Sequence, residues 1–263
     1  MTTHYEGRSS DGVAADLSYG KSKFFRDTWS IFEIKMLLLT RGWYLHIIRP
    51  LIFPLALFFW LRVIAPDDPE AVRRILTGAL IFGFSLTTVN MLAQQLILDR
   101  FSGRLKLTIT MPMSKAAYAA GNLCFAAVQV IPMLFILLAL GLAVGVNLQL
   151  TWVFFLMLLP IMLTMGGFTF IIASYAPSQE SGGILANLFG IVLVLVSPVF
   201  FSMEGAPLLL RLLGWISPMR YGADGIMKSL SGQTDVWLEF TILSAFSVLA
   251  MTLGVWKLRW RER

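Results

Sequence analysis

An all-α polytopic membrane fold follows from three observations on this 263-residue sequence. Only 14% of the residues are charged and 57% are hydrophobic, against about 25% charged in a soluble domain. Mean hydropathy is +0.75. The apolar residues gather into six runs, each near the ~20 residues a helix needs to cross hydrocarbon. Together these predict six transmembrane helices, preceded by an N-terminal amphipathic interface helix, with a re-entrant extracellular helical segment before the last span.

Each element has its own justification. Residues 1–23 are polar, lack the apolar centre of a signal peptide, and read as a flexible cytoplasmic tail. Gly20, Lys21 and Ser22 resemble the end of a phosphate-binding loop, but that loop needs glycine where this chain has Ala15, and it needs a preceding strand. In 24–40, Phe25, Trp29, Phe32, Met36 and Leu39 recur at steps of three and four, the pattern of a helix lying in the interface. The first span is predicted over Trp43–Ile64, with Pro50 and Pro54 near its start and with Arg49 and Arg62 reaching to opposite surfaces. The second covers Ile75–Leu98, the third Tyr118–Val146 and the fourth Thr151–Ala173. The fifth covers Ile184–Phe201. The stretch 203–221 is half apolar but interrupted by Glu204, Arg211 and Arg220 and bracketed by Pro207 and Pro218. It reads as re-entrant, because such backbone is tolerated at membrane depth when protein or water covers it. The last span is Trp237–Trp256. Residues 24–258 therefore form one membrane domain, and 259–263 a basic cytoplasmic tail.

Between the second and third spans lies a charged island, LDRFSGRLKLTITMPMS at 98–114, punctuated by Gly103 and Pro112. Charged side chains and open backbone exclude it from hydrocarbon. The charge count sets its side. Of the 21 Lys and Arg residues, seven lie up to Arg49, four from Arg100 to Lys115 and four from Lys257 onward, which leaves six for the other surface. This bias predicts both termini and the island inside the cell, in a plasma or inner membrane. It also accounts for the net charge of +6 without nucleic acid.

Soluble-enzyme chemistry is hard to place. The only histidines are His4 and His46, so no HExxH pair exists and none serves a later nucleophile. The single Cys124 excludes an internal disulfide and an all-cysteine metal site. No catalytic or metal-binding residue is predicted. The spans instead hold neutral polar groups: Thr87, Asn90 and Gln94 on one face of the second, Asn122 and Gln129 on the third, and Asn187 on the fifth. These are either interhelical glue or a weakly polar pathway for an amphipathic substrate.

Three segments carry a family resemblance. DRFSGRLKLTITMPMSKAAYAAGNL (99–123) resembles the coupling region of type-2 ABC transporter permeases, with Asp99, Arg100, Gly103, Leu107, Pro112 and Ser114 in the family's places and Met111 where threonine is usual. SPVFFSMEGAPLLLRLLGWISPMRYGADGIMKSL (197–230) is similar to the family's extracellular re-entrant segment through Pro198, Leu212, Ser217, Pro218, Met219 and Tyr221. RPLIFPLALFFW (49–60) resembles the first span of daunorubicin-exporter-like members. The resemblance implies a transport subunit without its own ATPase site. Two permease copies, as a homodimer or a pair, would form the path, and two cytoplasmic ATPase subunits would bring ATP and magnesium. It implies ATPase coupling through 98–117, with Asp99, Arg100, Gly103, Arg104, Leu107 and Pro112. The polar span residues Thr87, Asn90, Gln94, Gln129 and Asn187 are then the expected substrate path, and Pro198, Glu204, Arg211, Pro218 and Tyr221 mark the expected re-entrant element. The cargo expected is a drug, lipid or glycolipid. Lipid-linked polysaccharide export, or a non-transporting scaffold, are the alternatives.

Overall fold

The computed structural model describes residues 10–39, 43–64, 68–111, 113–195, 197, 199–200 and 208–258. Pro112, Pro198 and Glu204 lie outside them. The described residues form ten helices: α1 (Ser10–Leu39), α2 (Trp43–Ile64), α3 (Pro69–Phe101), α4 (Arg104–Thr110), α5 (Lys115–Ala143), α6 (Trp152–Tyr175), α7 (Gln179–Leu195), α8 (Leu208–Ile216), α9 (Pro218–Leu230) and α10 (Trp237–Lys257). Five of these, α2, α3, α5, α6 and α10, contain windows long and apolar enough to cross a membrane, and α7 is a shorter apolar helix. The chain is thus an all-α, multi-pass membrane protein.

The centre is α3. It packs on α2, α5, α6, α7 and α9, and most of its length is buried. Its start is fixed by Asp68, whose carboxylate accepts from the Glu70 and Ala71 amides, and by Pro69 in the first turn. Its side chains meet close-packed glycines elsewhere. A Cβ on Gly141 of α5 would lie 2.4 Å from Leu76, and one on Gly182 of α7 would lie 2.6 Å from Ile97. Small residues at crossings let helix backbones approach when the hydrophobic effect between spans is weak.

The two expected prolines do not break α2, which runs unbroken through Pro50 and Pro54. Pro54 instead packs on α3, where a Cβ at Gly83 would meet its ring at 2.6 Å. Two expectations need adjusting. The N-terminal helix begins at Ser10, not Phe24, so part of the segment read as a flexible tail is helical. The fifth span was expected to reach Phe201, yet α7 ends at Leu195. Ser197 then folds back, its hydroxyl donating to the Leu193 carbonyl and pairing with the Ser217 hydroxyl just before α9.

That pairing sets the start of α9 beside the end of α7. Ser231 meets Arg73, Met227 meets Thr77 and Met219 meets Ser85, so α9 runs antiparallel beside the first half of α3. From Arg73 to Ser85 is roughly 18 Å of helix. α9 therefore runs from about the middle of α3 back to its start. Arg220 sits near the mid-α3 end, 4.3 Å from the Trp215 ring and 3.4 Å from Asp224. Tyr221 donates to the Trp215 carbonyl at 3.0 Å, Pro218 is buried in the first turn of α9, and Arg211 is exposed on α8.

Candidate functional site

Two features come together along α3. The first is a node of buried polar groups at its C-terminal end. Asp99 is only 4% exposed. Its Oδ2 accepts from Lys35 Nζ of α1 at 2.5 Å and from the Tyr118 hydroxyl of α5 at 2.9 Å. Lys35, also 4% exposed, further donates to Gln95 at 3.3 Å. Burial pushes the Lys35 ammonium down from the usual lysine range, and the Asp99 carboxylate pulls it part of the way back. The neighbouring Arg100 turns the other way. Its Nη1 donates to the carbonyls of Ala173, Ser174 and Ala176 at 3.4, 3.1 and 2.9 Å, capping the C-terminus of α6 with positive charge. Two consecutive residues thus tie α1, α5 and α6 to the end of α3. Nothing in the sequence marked Lys35 as the partner of Asp99, because the two are 64 positions apart.

Beyond the node the chain reverses. Gly103 takes φ +77°, the left-handed region, and α4 begins at the next residue. Leu105 is buried beneath α4, whereas Leu107 is 66% exposed, and Arg104 and Lys106 are exposed beside it. Asp99, Arg100 and Gly103 were expected to form the coupling contact; the side chains of Asp99 and Arg100 make the interior contacts above, and Arg104, Lys106 and Leu107 are among the exposed residues that follow Gly103.

α1 lies against α5 so closely that a Cβ on Gly121 would be 2.8 Å from the Thr28 carbonyl. Its protein-facing side carries Ile31 and Lys35, while Phe25 and Trp29 of the expected stripe are 70% and 64% exposed. An apolar, aromatic face left free on such a helix suits the headgroup region.

The second feature is a cleft of about 800 Å³ between α2, α3 and α7. Thr87, Asn90, Gln94 and Asn187, four of the five residues expected along a polar path, line it. Asn90 donates to the Asn187 side-chain carbonyl at 3.4 Å, and Arg49 of α2 donates to Gln94 at 3.3 Å. Gln129 is not among them. It is buried on α5, with no hydrogen-bonding partner for its amide among the described residues. Glu180, at the start of α7, lines the cleft and was not singled out in the sequence.

A reversed, exposed end-helix and a half-polar cleft thus lie on one buried central helix, and no group of His, Cys, Asp or Glu among the described residues is arranged to hold a metal. No curated protein matches the chain. A family model, that of the ABC-2 type transporter, matches residues 26–231, from α1 through the end of α9. The chain belongs to the ABC-2 type transporter family and is a transmembrane subunit of an ABC-type transporter.

Proposed function

We propose that this chain is the permease of an exporter in which two copies form the path and two cytoplasmic ATPase subunits drive it, in a plasma or inner membrane with both termini inside. The observation that carries this reading is the placement of both features on α3: the exposed Arg104–Leu107 face at one end and the cleft along the flank. ATP and magnesium would be bound by the partner ATPase. Closure of the ATPase pair presses on α4 and α1, and the node at Asp99 and Arg100 passes that movement to α3, α5 and α6 together. Thr87, Asn90, Gln94 and Asn187 then face an amphipathic substrate along the seam of α3 and α7. Such a cycle requires the substrate to bind the two states of the seam differently.

The first test is affinity purification of the tagged chain from native membranes, followed by an ATPase assay. A nucleotide-binding protein should co-purify in roughly equal abundance. Its absence from a folded, dimeric chain would overturn the reading. Within the same complex, Gly103→Ile should leave insertion intact yet sharply reduce ATP-driven transfer of a fluorescent amphiphile. A β-branched residue at φ +77° costs about 1–2 kcal/mol of backbone strain and re-aims α4, while the open space around Gly103 gives it nothing to clash with. Unchanged transfer would remove α4 from the coupling path.

A further inference from the structure

We infer that the α2–α3–α7 cleft binds a glycerophospholipid with a zwitterionic headgroup, its phosphate on Arg49 and its ammonium on Glu180. The inference rests on the cleft being the substrate path, as proposed above, and adds the chemical class of the substrate.

The argument is one of levels. Arg49 reaches Gln94 at 3.3 Å. Glu180 stands two residues before Gly182, where a Cβ would lie 2.6 Å from Ile97. Gln94 and Ile97 are one turn apart on α3. The cation and the anion therefore stand within about two turns of each other in depth, on α2 and α7, the opposite walls of the cleft, near the end that carries α4. Among the described residues neither forms an ion pair, and both are exposed to the cleft.

One turn further in, Asn90 and Asn187 meet across the cleft at 3.4 Å. The Asn90 amide is committed to the Leu86 and Asn187 carbonyls, which leaves the Asn187 NH₂ group as the donor at the level where an ester carbonyl would lie. Beyond them, Phe53 and Leu86 make the lining apolar. Apolar side chains line the cleft throughout, Ile97 and Ile184 beside the charged pair included, but its polar groups thin with depth from the charged pair through the amides to Thr87, the order of headgroup, ester linkage and acyl chain.

Guanidinium suits a phosphate, which it can hold through two parallel hydrogen bonds. A carboxylate nearby suits the ammonium of phosphoethanolamine. The same carboxylate acts against an anionic lipid such as phosphatidylglycerol, which offers phosphate and no amine, and attraction to one partner with repulsion of the other is what produces selectivity.

The test uses the full chain, purified in mild detergent with Gly183→Cys in a Cys124→Ala background, since Gly183 lines the cleft and a Cβ there meets nothing within 4 Å. Phosphatidylethanolamine and phosphatidylglycerol with matched acyl chains are supplied in equal amounts. Retained lipid is read by native mass spectrometry, and occupancy by the slowing of maleimide reaction at position 183. Phosphatidylethanolamine should be retained about tenfold over phosphatidylglycerol, the equivalent of one favourable charge contact. Glu180→Gln should erase that preference. Arg49→Gln should weaken retention of both lipids. Exchanging the charges, Arg49→Glu with Glu180→Arg, should restore the preference in a chain shown by size-exclusion to be folded.

Equal or better retention of phosphatidylglycerol overturns the inference. So does a preference that survives Glu180→Gln while dimerisation weakens, which would mean the two charges pair with a second copy instead. If amphiphiles slow the maleimide reaction without regard to headgroup, only this inference fails. If no amphiphile slows it, the cleft is not a substrate path and the proposal it rests on fails with it.

Discussion

Asp99→Asn should destabilise the protein by about 3–5 kcal/mol, the range for a buried charge stripped of its partner. Asparagine fits the space but presents an NH₂ group or a weak carbonyl to a Lys35 ammonium that is 4% exposed. The Tyr118 hydroxyl can keep an acceptor, so the loss falls mainly on Lys35. Thermal unfolding of the purified chain in detergent, followed by tryptophan fluorescence, would measure it. The pH dependence gives a second signature. In the variant Lys35 is buried without an anion, so its folded pKa falls further below the unfolded value. Between those two values the unfolded chain binds more protons than the folded one, and stability rises with pH. Part of the loss should therefore be recovered in alkaline buffer. Replacing all three groups, Lys35→Met with Asp99→Leu and Tyr118→Phe, should restore most of the stability, because a buried ion pair adds little over well-packed apolar side chains. Under the proposed mechanism, that stable triple variant would still lose coupling if the node carries motion and not only stability. A single substitution that leaves melting unchanged would contradict the contacts described.

The second large effect is expected at the α6–α10 crossing. A Cβ at Gly167 would sit 2.3 Å from the Ala250 carbonyl carbon and 2.6 Å from the Met251 nitrogen. One at Gly254 would sit 2.5 Å from the Gly167 oxygen. These obstacles are backbone atoms, with no flexible side chain to move aside. Gly167→Leu should force the two helices apart and cost more than the ~1–3 kcal/mol usual for an overpacked core. The expected readout is loss of the monodisperse peak in size-exclusion of the fluorescent fusion. Gly190→Ala is the matched control, since its nearest neighbour, a Leu86 methyl group, lies at 3.4 Å. A normal profile for Gly167→Leu would mean that α10 does not pack on α6 at this point.

Much of the architecture was legible because hydrocarbon imposes a length and a composition. The spans over α2, α3, α5, α6 and α10 announce themselves as apolar runs. The cleft was partly legible too: Thr87, Asn90 and Gln94 share a face at helical spacing, and that face does line the cleft. What the sequence hid has physical reasons. The helix from Ser10 to Lys23 carries no apolar run to advertise it. The end of α7 is concealed inside a run that stays apolar to Phe201, so that only Ser197 and Pro198 hint at a turn. Asp99, Arg100 and Lys35 look like surface charges in a linear reading, since their partners lie on other helices. Gln129 shares its chemistry with the cleft amides but sits on a helix that does not border the cleft. Composition tells which groups are polar; only the packing tells which of them meet.

The length of α3 has a mechanical consequence. It spans 33 residues, about 50 Å, and no proline interrupts it after its first residue. At one end it is clamped by Lys35, Tyr118 and the capping contacts of Arg100, and along the other half it is laid against α9. A rod of that length works as a lever. A tilt of about 5° about one end carries the other through roughly 4 Å, close to the 5.4 Å pitch of a helix. A small rotation imposed beside α4 therefore swings Ser85, about 24 Å along the rod and in contact with Met219 at the start of α9, sideways by about 2 Å, without any helix having to unwind.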